Sequence, residues 1–243
     1  MKMKKVLFLI MVLLLLVVIT GCRSNNSFDT QYDEDFQQYN IYPGVKDVIV
    51  IFYYDNKVNQ ICDIALSLAT EYSKVYTVEN SGKSITKLTQ ITDSILAQEK
   101  TENGTNLNFY LGGFSSGNET ATQIFCNNPD DFYGLLLYGA TLNSKSDLSE
   151  INKKILCIYG QYDTVLTPDD IMESKQYYSS DAYFYEIYGG NHTQMLLPYD
   201  SSTKIVYKDS DATITARNQK IIICDETLDF IYSNKIQEGI NNG

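Results

Sequence analysis

Histidine is nearly missing from this sequence: His192 is the only one in 243 residues. Any step that needs an imidazole must therefore use that residue. Basic side chains are also scarce, with 19 Lys and Arg against 30 Asp and Glu, a net charge of −11. Such a chain repels nucleic acid and other polyanions, so no nucleic-acid partner is expected. Cysteines number five, and their spacing matches neither a CxxC pair nor a zinc ribbon, so no metal site is expected. Cys62, Cys126, Cys157 and Cys224 each fall in an apolar segment and are read as buried free thiols, with one disulfide left open. There is no internal repeat and no low-complexity segment. One long apolar run exists, Val6 to Ile19, and its 14 residues fall short of the roughly 18 to 20 needed to span a bilayer.

That run is nevertheless informative. Lys2, Lys4 and Lys5 precede it, and Thr20-Gly21 and Cys22 follow, which is the layout of a secretory signal peptide. Ile19-Thr20-Gly21-Cys22 resembles the lipobox of bacterial lipoproteins, whose cysteine is lipidated and becomes the mature N-terminus. The plainer alternative is an uncleaved N-terminal anchor. Either way the rest of the chain is expected outside the cytoplasm, held at the cell membrane through Cys22 in the first reading. Cleavage before Cys22 leaves 16 basic and 30 acidic residues, a net charge near −14. The expected layout is a signal peptide over 1–21, a tether over 22–45 and one domain over 46–243.

Within that domain, strand-like and helix-like patterns alternate. Asp47 to Tyr54 is a continuous β-branched and aromatic run, as expected of a parallel strand buried on both faces. Asn59 to Tyr72 carries apolar residues at helical spacing, Lys74 to Val78 reads as a strand, and Ser84 to Gln98 as a second helix. Leu107 to Leu111, Tyr133 to Tyr138, Ile155 to Tyr159 and Tyr183 to Ile187 are further strands. Ser116 to Cys126, Pro168 to Tyr177 and Lys220 to Tyr232 are further helices. The alternation predicts an α/β class: a mostly parallel sheet of about six strands with helices on both faces.

Three places in this pattern carry chemistry. Gly113-Phe114-Ser115-Ser116-Gly117 is a G-x-S-x-G motif that ends a strand and opens a helix, the context of a nucleophile elbow. Glycines two positions either side of Ser115 allow the tight turn, and the helix start aims the Ser116 N–H at a developing oxyanion. A glycine-rich turn with an incidental serine would read the same on the motif alone. His192 follows the last predicted strand, in Gly189-Gly190-Asn191-His192, where it can serve as general base to Ser115. Asp163 follows the strand before that and can orient the imidazole, with Asp169 and Asp170 as fallback acids. Ser115, Asp163 and His192 each lie just past the C-terminal end of a strand, where sites form in open α/β sheets.

On these residues, Asp47 to roughly Ile231 resembles a bacterial branch of the α/β-hydrolase superfamily related to dienelactone-hydrolase-like enzymes. The resemblance is carried by Gly113 to Gly117, by Ile158-Tyr159-Gly160-Gln161-Tyr162-Asp163 and by Gly190-Asn191-His192. Asp211 to Thr215 with Gln219 resembles the stretch that follows the histidine in that branch. It implies a single-domain α/β-hydrolase fold and cleavage of an ester or similar acyl bond through an acyl-serine, without a cofactor. It also implies a second oxyanion donor, the backbone N–H of Asp55, from Tyr53-Tyr54-Asp55-Asn56. There the branch carries Tyr-Pro-Gly-Gly, and the elbow here ends in Gly117-Asn118 rather than Gly-Gly. Only about 14 residues, Thr141 to Lys154, separate the fourth and fifth core strands. No large lid is therefore expected, and the partner is a small-molecule or surface-displayed acyl substrate met by a monomer. The competing readings are a non-enzymatic binding lipoprotein on the same scaffold, and a peptidase or acyltransferase using the same three residues.

Overall fold

A computed structural model describes residues 29–31, 39–42, 47–55, 61–69, 73–195 and 208–241. The elements in chain order are β1 (Asp29–Gln31), β2 (Tyr39–Tyr42), β3 (Val48–Tyr54), α1 (Ile61–Ala69), β4 (Lys74–Glu79), α2 (Ile85–Asn103) and β5 (Asn108–Phe114). They continue with α3 (Ser116–Asn127), β6 (Gly134–Tyr138), β7 (Lys154–Gly160), α4 (Pro168–Ser174), β8 (Tyr183–Ile187) and α5 (Ala216–Asn241).

The strands form one sheet in the order β1-β2-β4-β3-β5-β6-β7-β8. The six from β4 to β8 are parallel and are the six expected. β3 shows why its run is apolar without alternation: Ile49, Ile51 and Tyr53 face one core layer, while Val48, Val50 and Phe52 face the other. The first layer also holds Leu88, Ile91 and Ile95 of α2 with Ile124 and Phe125 of α3. The second holds Ile64 and Leu68 of α1 with Ile223 and Ile231 of α5. Single-domain α/β-hydrolase architecture follows: one sheet with helices on both faces.

Two expectations are corrected here. The stretch read as a tether contributes β1 and β2, and β2 pairs antiparallel with β4 in the register Tyr39↔Val78 and Ile41↔Tyr76. Tyr39 and Ile41 are buried, and the Tyr39 ring lies 5.4 Å from that of Tyr76. A four-residue strand offers only two inward positions, too few to stand out from polar surroundings in sequence. The second correction is to α2, which runs past Gln98 to Asn103. The apolar stripe ends at Leu96, but the next inward residue is Glu99, fully buried and ion-paired with Lys74. The hydroxyl of Tyr76 also donates to it, and Asn103 Nδ2 donates at 2.8 Å. A charged residue closing a helical stripe reads as surface unless its buried partners are known.

The segment read as a signal peptide, Cys22 and Asn56 lie outside the described residues, as does the side chain of Cys62. Cys126, Cys157 and Cys224 are thiols that form no disulfide. Among the described residues, no helix is long and apolar enough to cross a membrane.

Candidate active site

The sheet reverses its winding at β3, whose neighbours β4 and β5 lie on opposite sides of it, and the site forms beyond the C-terminal ends there. β5 ends at Phe114, and Ser115 follows with φ 54° and ψ −123°. Among the described residues it is the only non-glycine with positive φ. Such a conformation costs on the order of 1 to 3 kcal/mol and persists only where its surroundings enforce it. The enforcement is visible on both sides. A Cβ at Gly113 would run into the backbone of Gly117, and one at Gly117 would run into the Tyr53 carbonyl. The turn is therefore clamped between the end of β3 and the start of α3, with Ser115 exposed at its tip. Ser115 occupies the N-cap position of α3, yet its side chain caps no helix N–H.

Asp163 and His192 form the second half. His192 Nδ1 lies 2.7 Å from Asp163 Oδ2, and both side chains are buried, at 2% and 1% exposure. The other oxygen, Oδ1, accepts from the N–H of Val165 at 2.9 Å and of Leu166 at 2.7 Å. Both oxygens of Asp163 are thus engaged, which holds the carboxylate in one orientation. The backbones of the two loops are joined as well. Gln161 N–H donates to Ile187 O at 3.1 Å, and Tyr162 N–H to Gly190 O at 2.8 Å. The imidazole packs against Phe114, with ring centres 5.0 Å apart. The fallback acids stand elsewhere: Asp169 and Asp170 open α4, where Asp170 completes a capping box with Thr167.

Ser115 and His192 line one cleft of about 420 Å³, walled by Ala140, Leu142, Val165 and Leu166 and by the polar Asn143 and Lys145. No helix interrupts the link between β6 and β7, which forms part of this wall. A larger cleft of about 890 Å³ lies at the opposite edge of the sheet, lined by residues such as Phe109, Tyr133 and Lys154, and no member of the Ser115 group reaches it. Among the described residues, no three His, Cys, Asp or Glu side chains gather as a metal-ligand set.

Ser116 is the first residue of α3, where backbone N–H groups have no acceptor within the helix. Asp55 follows β3, one residue beyond the Tyr53–Tyr54 backbone against which Gly117 packs. The two expected oxyanion donors therefore flank one contact.

Asn118 was legible in the sequence only as a departure, and the structure gives it a task. Its Nδ2 donates to Tyr138 O at 2.9 Å and Gly139 O at 3.4 Å, while Oδ1 accepts from Tyr138 N–H at 3.3 Å. It ties the elbow helix to the end of β6. At Gly139 there is no side chain, and a Cβ there would sit 3.1 Å from the His192 ring.

The fold is that of an α/β hydrolase. Residues 49–220 match the alpha/beta hydrolase family, and the chain belongs to it. No curated protein matches the sequence at a significant level. Among solved structures, it is similar to Est1E from Butyrivibrio proteoclasticus at 10% identity, with a TM-score of 0.55 over 83% of this chain and 97% of that one. An alpha-beta serine hydrolase homologue from Coxiella burnetii superposes at 12% identity with a TM-score of 0.57, again over 83% and 97% of the two chains. A lidless serine hydrolase from Xanthomonas campestris does so at 14% identity and TM-score 0.50, over 64% and 79%. At these identities the likeness is one of fold.

Asn118→Ala removes a buried residue that serves both Tyr138 and Gly139. It should destabilise the protein by about 1 to 3 kcal/mol in urea unfolding, through the buried partners left unmatched. An unchanged midpoint would show that the elbow helix is held by other contacts.

Proposed function

We propose that the chain is a serine hydrolase that cleaves a carboxylic ester of a small or surface-displayed acyl group through an acyl-serine intermediate. The observation that carries this reading is the buried 2.7 Å pair of His192 and Asp163, opening on the same cleft as a serine held at φ 54°.

In the first half-reaction the Ser115 Oγ attacks the ester carbonyl while His192 takes the hydroxyl proton. Asp163 keeps Nδ1 protonated and stabilises the imidazolium. The tetrahedral oxyanion is met by the N–H of Ser116, with the positive end of α3 behind it, and by the N–H of Asp55. As the intermediate collapses, the carbon–oxygen bond to the leaving group breaks and His192 returns its proton to the departing alkoxide. Water then repeats the sequence on the acyl-serine, giving the carboxylic acid and restoring Ser115. The side chain of Ser115 is not engaged in capping, which leaves its hydroxyl to the reaction.

The cleft suits a short acyl group. Its volume of about 420 Å³ lies near the lower end of ligand pockets, and apolar Leu142, Val165 and Leu166 share it with polar Asn143 and Lys145. A polar alcohol half of the ester would meet the latter. The rival reading, a binding lipoprotein on the same scaffold, draws its support from the Asp55 loop, where the glycines of the related branch are absent.

We further propose that the mature chain is held at the extracytoplasmic face of the membrane by a lipid on Cys22. The support is the order of three lysines, 14 apolar residues and Ile19-Thr20-Gly21-Cys22.

Three experiments test these proposals. Ser115→Ala should abolish labelling by a fluorophosphonate probe and lower kcat/KM on short-chain esters by about 10,000-fold or more, with the circular dichroism spectrum unchanged. Full labelling of that variant would move the nucleophile elsewhere, and labelling of the wild type without turnover of any ester would favour the binding reading. Asp55→Pro deletes one N–H and should lower kcat by about 100-fold or more, whereas Asp55→Ala, which keeps the N–H, should not. Equal losses in both would take Asp55 out of the oxyanion site. Cys22→Ser should leave the protein unlipidated with its activity intact, and an unmodified Cys22 in the wild-type mass spectrum would overturn the anchor alone.

A further inference from the structure

The segment that leads into α5 runs back across the loop carrying His192, and its polar atoms close on both neighbours of that residue. On one side, the Gln219 side chain accepts from Asn191 N–H at 3.1 Å and donates to Asn191 O at 2.6 Å. Asn191 Nδ2 donates to Ser210 O at 2.6 Å. On the other side, Thr193 N–H donates to Asp209 Oδ2 at 2.8 Å.

Asp209 does more than hold Thr193. Its Oδ1 accepts from the N–H and the hydroxyl of Thr164, both at 3.0 Å, and from its own neighbour Ser210 N–H at 2.9 Å. Thr164 follows Asp163, and Thr193 follows His192. One carboxylate thus spans the residue after the acid and the residue after the base. Four donors converge on it, which matches the roughly four lone-pair positions of an ionised carboxyl. Burial pushes its pKa up, but the hydrogen bonds from Thr164 and Thr193 outweigh that and hold the group below the usual carboxylate range.

The direct ties between the two loops lie on the strand side of the pair, at Gln161 with Ile187 and Gly189 and at Tyr162 with Gly190. On the far side only one other bridge exists among the described residues, from Asn191 Nδ2 to Ser210 O and from Ser210 N–H to Thr164 Oγ1 at 3.0 Å. That bridge runs through the residue next to Asp209, so without the carboxylate the far side of the pair would be held much more loosely than the strand side. We infer that Asp209 is a positioning residue, which sets the separation of Asp163 and His192 and thereby the aim of the imidazole at Ser115. This rests on the serine-hydrolase reading above. An asparagine cannot replace it: the amide keeps one acceptor oxygen and turns two donors toward groups that already donate.

The test uses the mature chain and a short-chain nitrophenyl ester. Asp209→Ala and Asp209→Asn should each lower kcat roughly 10- to 100-fold, the scale of a misplacement of about 1 Å, with KM changed by less than about twofold. In a His192→Ala background the same substitutions should have no further effect, because the residue acts only through the imidazole. A second readout needs no turnover. The chain has one histidine, so its ring N–H gives a single, assignable proton resonance, and that resonance should shift or broaden in both variants. The inference fails if kcat and the resonance are unchanged while only the melting temperature drops. It fails equally if the kinetic loss persists without His192. Should the wild type hydrolyse no ester, the proposed activity falls, and the resonance still decides whether Asp209 sets the pair.

Discussion

The backbone at Ser115 is the constraint on which the rest of the site depends. A serine with positive φ lifts its side chain clear of the sheet edge, and that conformation is accessible only because two glycines let α3 press against the end of β3. The same contact fixes where the first N–H of the helix and the first residue after β3 lie. The positions of Ser115, the helix dipole and the N–H groups of Ser116 and Asp55 are consequently one packing event rather than three independent placements. The parallel sheet supplies the rigidity: β5, which runs into the elbow, and β3, against whose end the elbow packs, are neighbours and are buried on both faces.

Asp163 and His192 are held by a different logic. Neither Asp163 nor His192 belongs to a regular element, and both sit on loops a few residues beyond β7 and β8. Loops of this kind are held by polar contacts, and here those contacts form a continuous set from Gln161 through Tyr162 and Gly190 to Asn191 and Gln219. Asn118 extends the same principle to the other flank, through Gly139 beneath the imidazole. The apolar core thus places Ser115, while hydrogen bonds between distant loops place the Asp163–His192 pair.

This division explains what was legible in the sequence. The six parallel strands and their order of chemistry could be read, because each strand is a run of apolar residues and each candidate side chain follows one closely. Ser115, Asp163 and His192 could be named for that reason, and the structure puts Asp163 and His192 in contact and Ser115 on the cleft that His192 lines. β2 could not be read, since four residues are too short a run to establish an alternation, even with Tyr39 and Ile41 buried. The end of α2 was hidden because Glu99 looks like a surface residue until Lys74 and Tyr76 are known to face it. Asn118 and Asp209 carry no local signature: one bonds a strand twenty residues on, the other a loop forty-five residues back. Side chains whose partners are remote in sequence become meaningful only after the chain has folded.

The early strands also change the reach of the molecule. A tether ending at residue 45 would give the domain a long leash. With β1 already part of the sheet, only six residues lie between Cys22 and Asp29, at most about 25 Å when fully extended. A lipid on Cys22 would then hold the body of the enzyme against the headgroups, within about its own diameter of the bilayer. Encounters with substrate would become a two-dimensional search along the cell surface, governed by what diffuses through that thin layer rather than by bulk concentration.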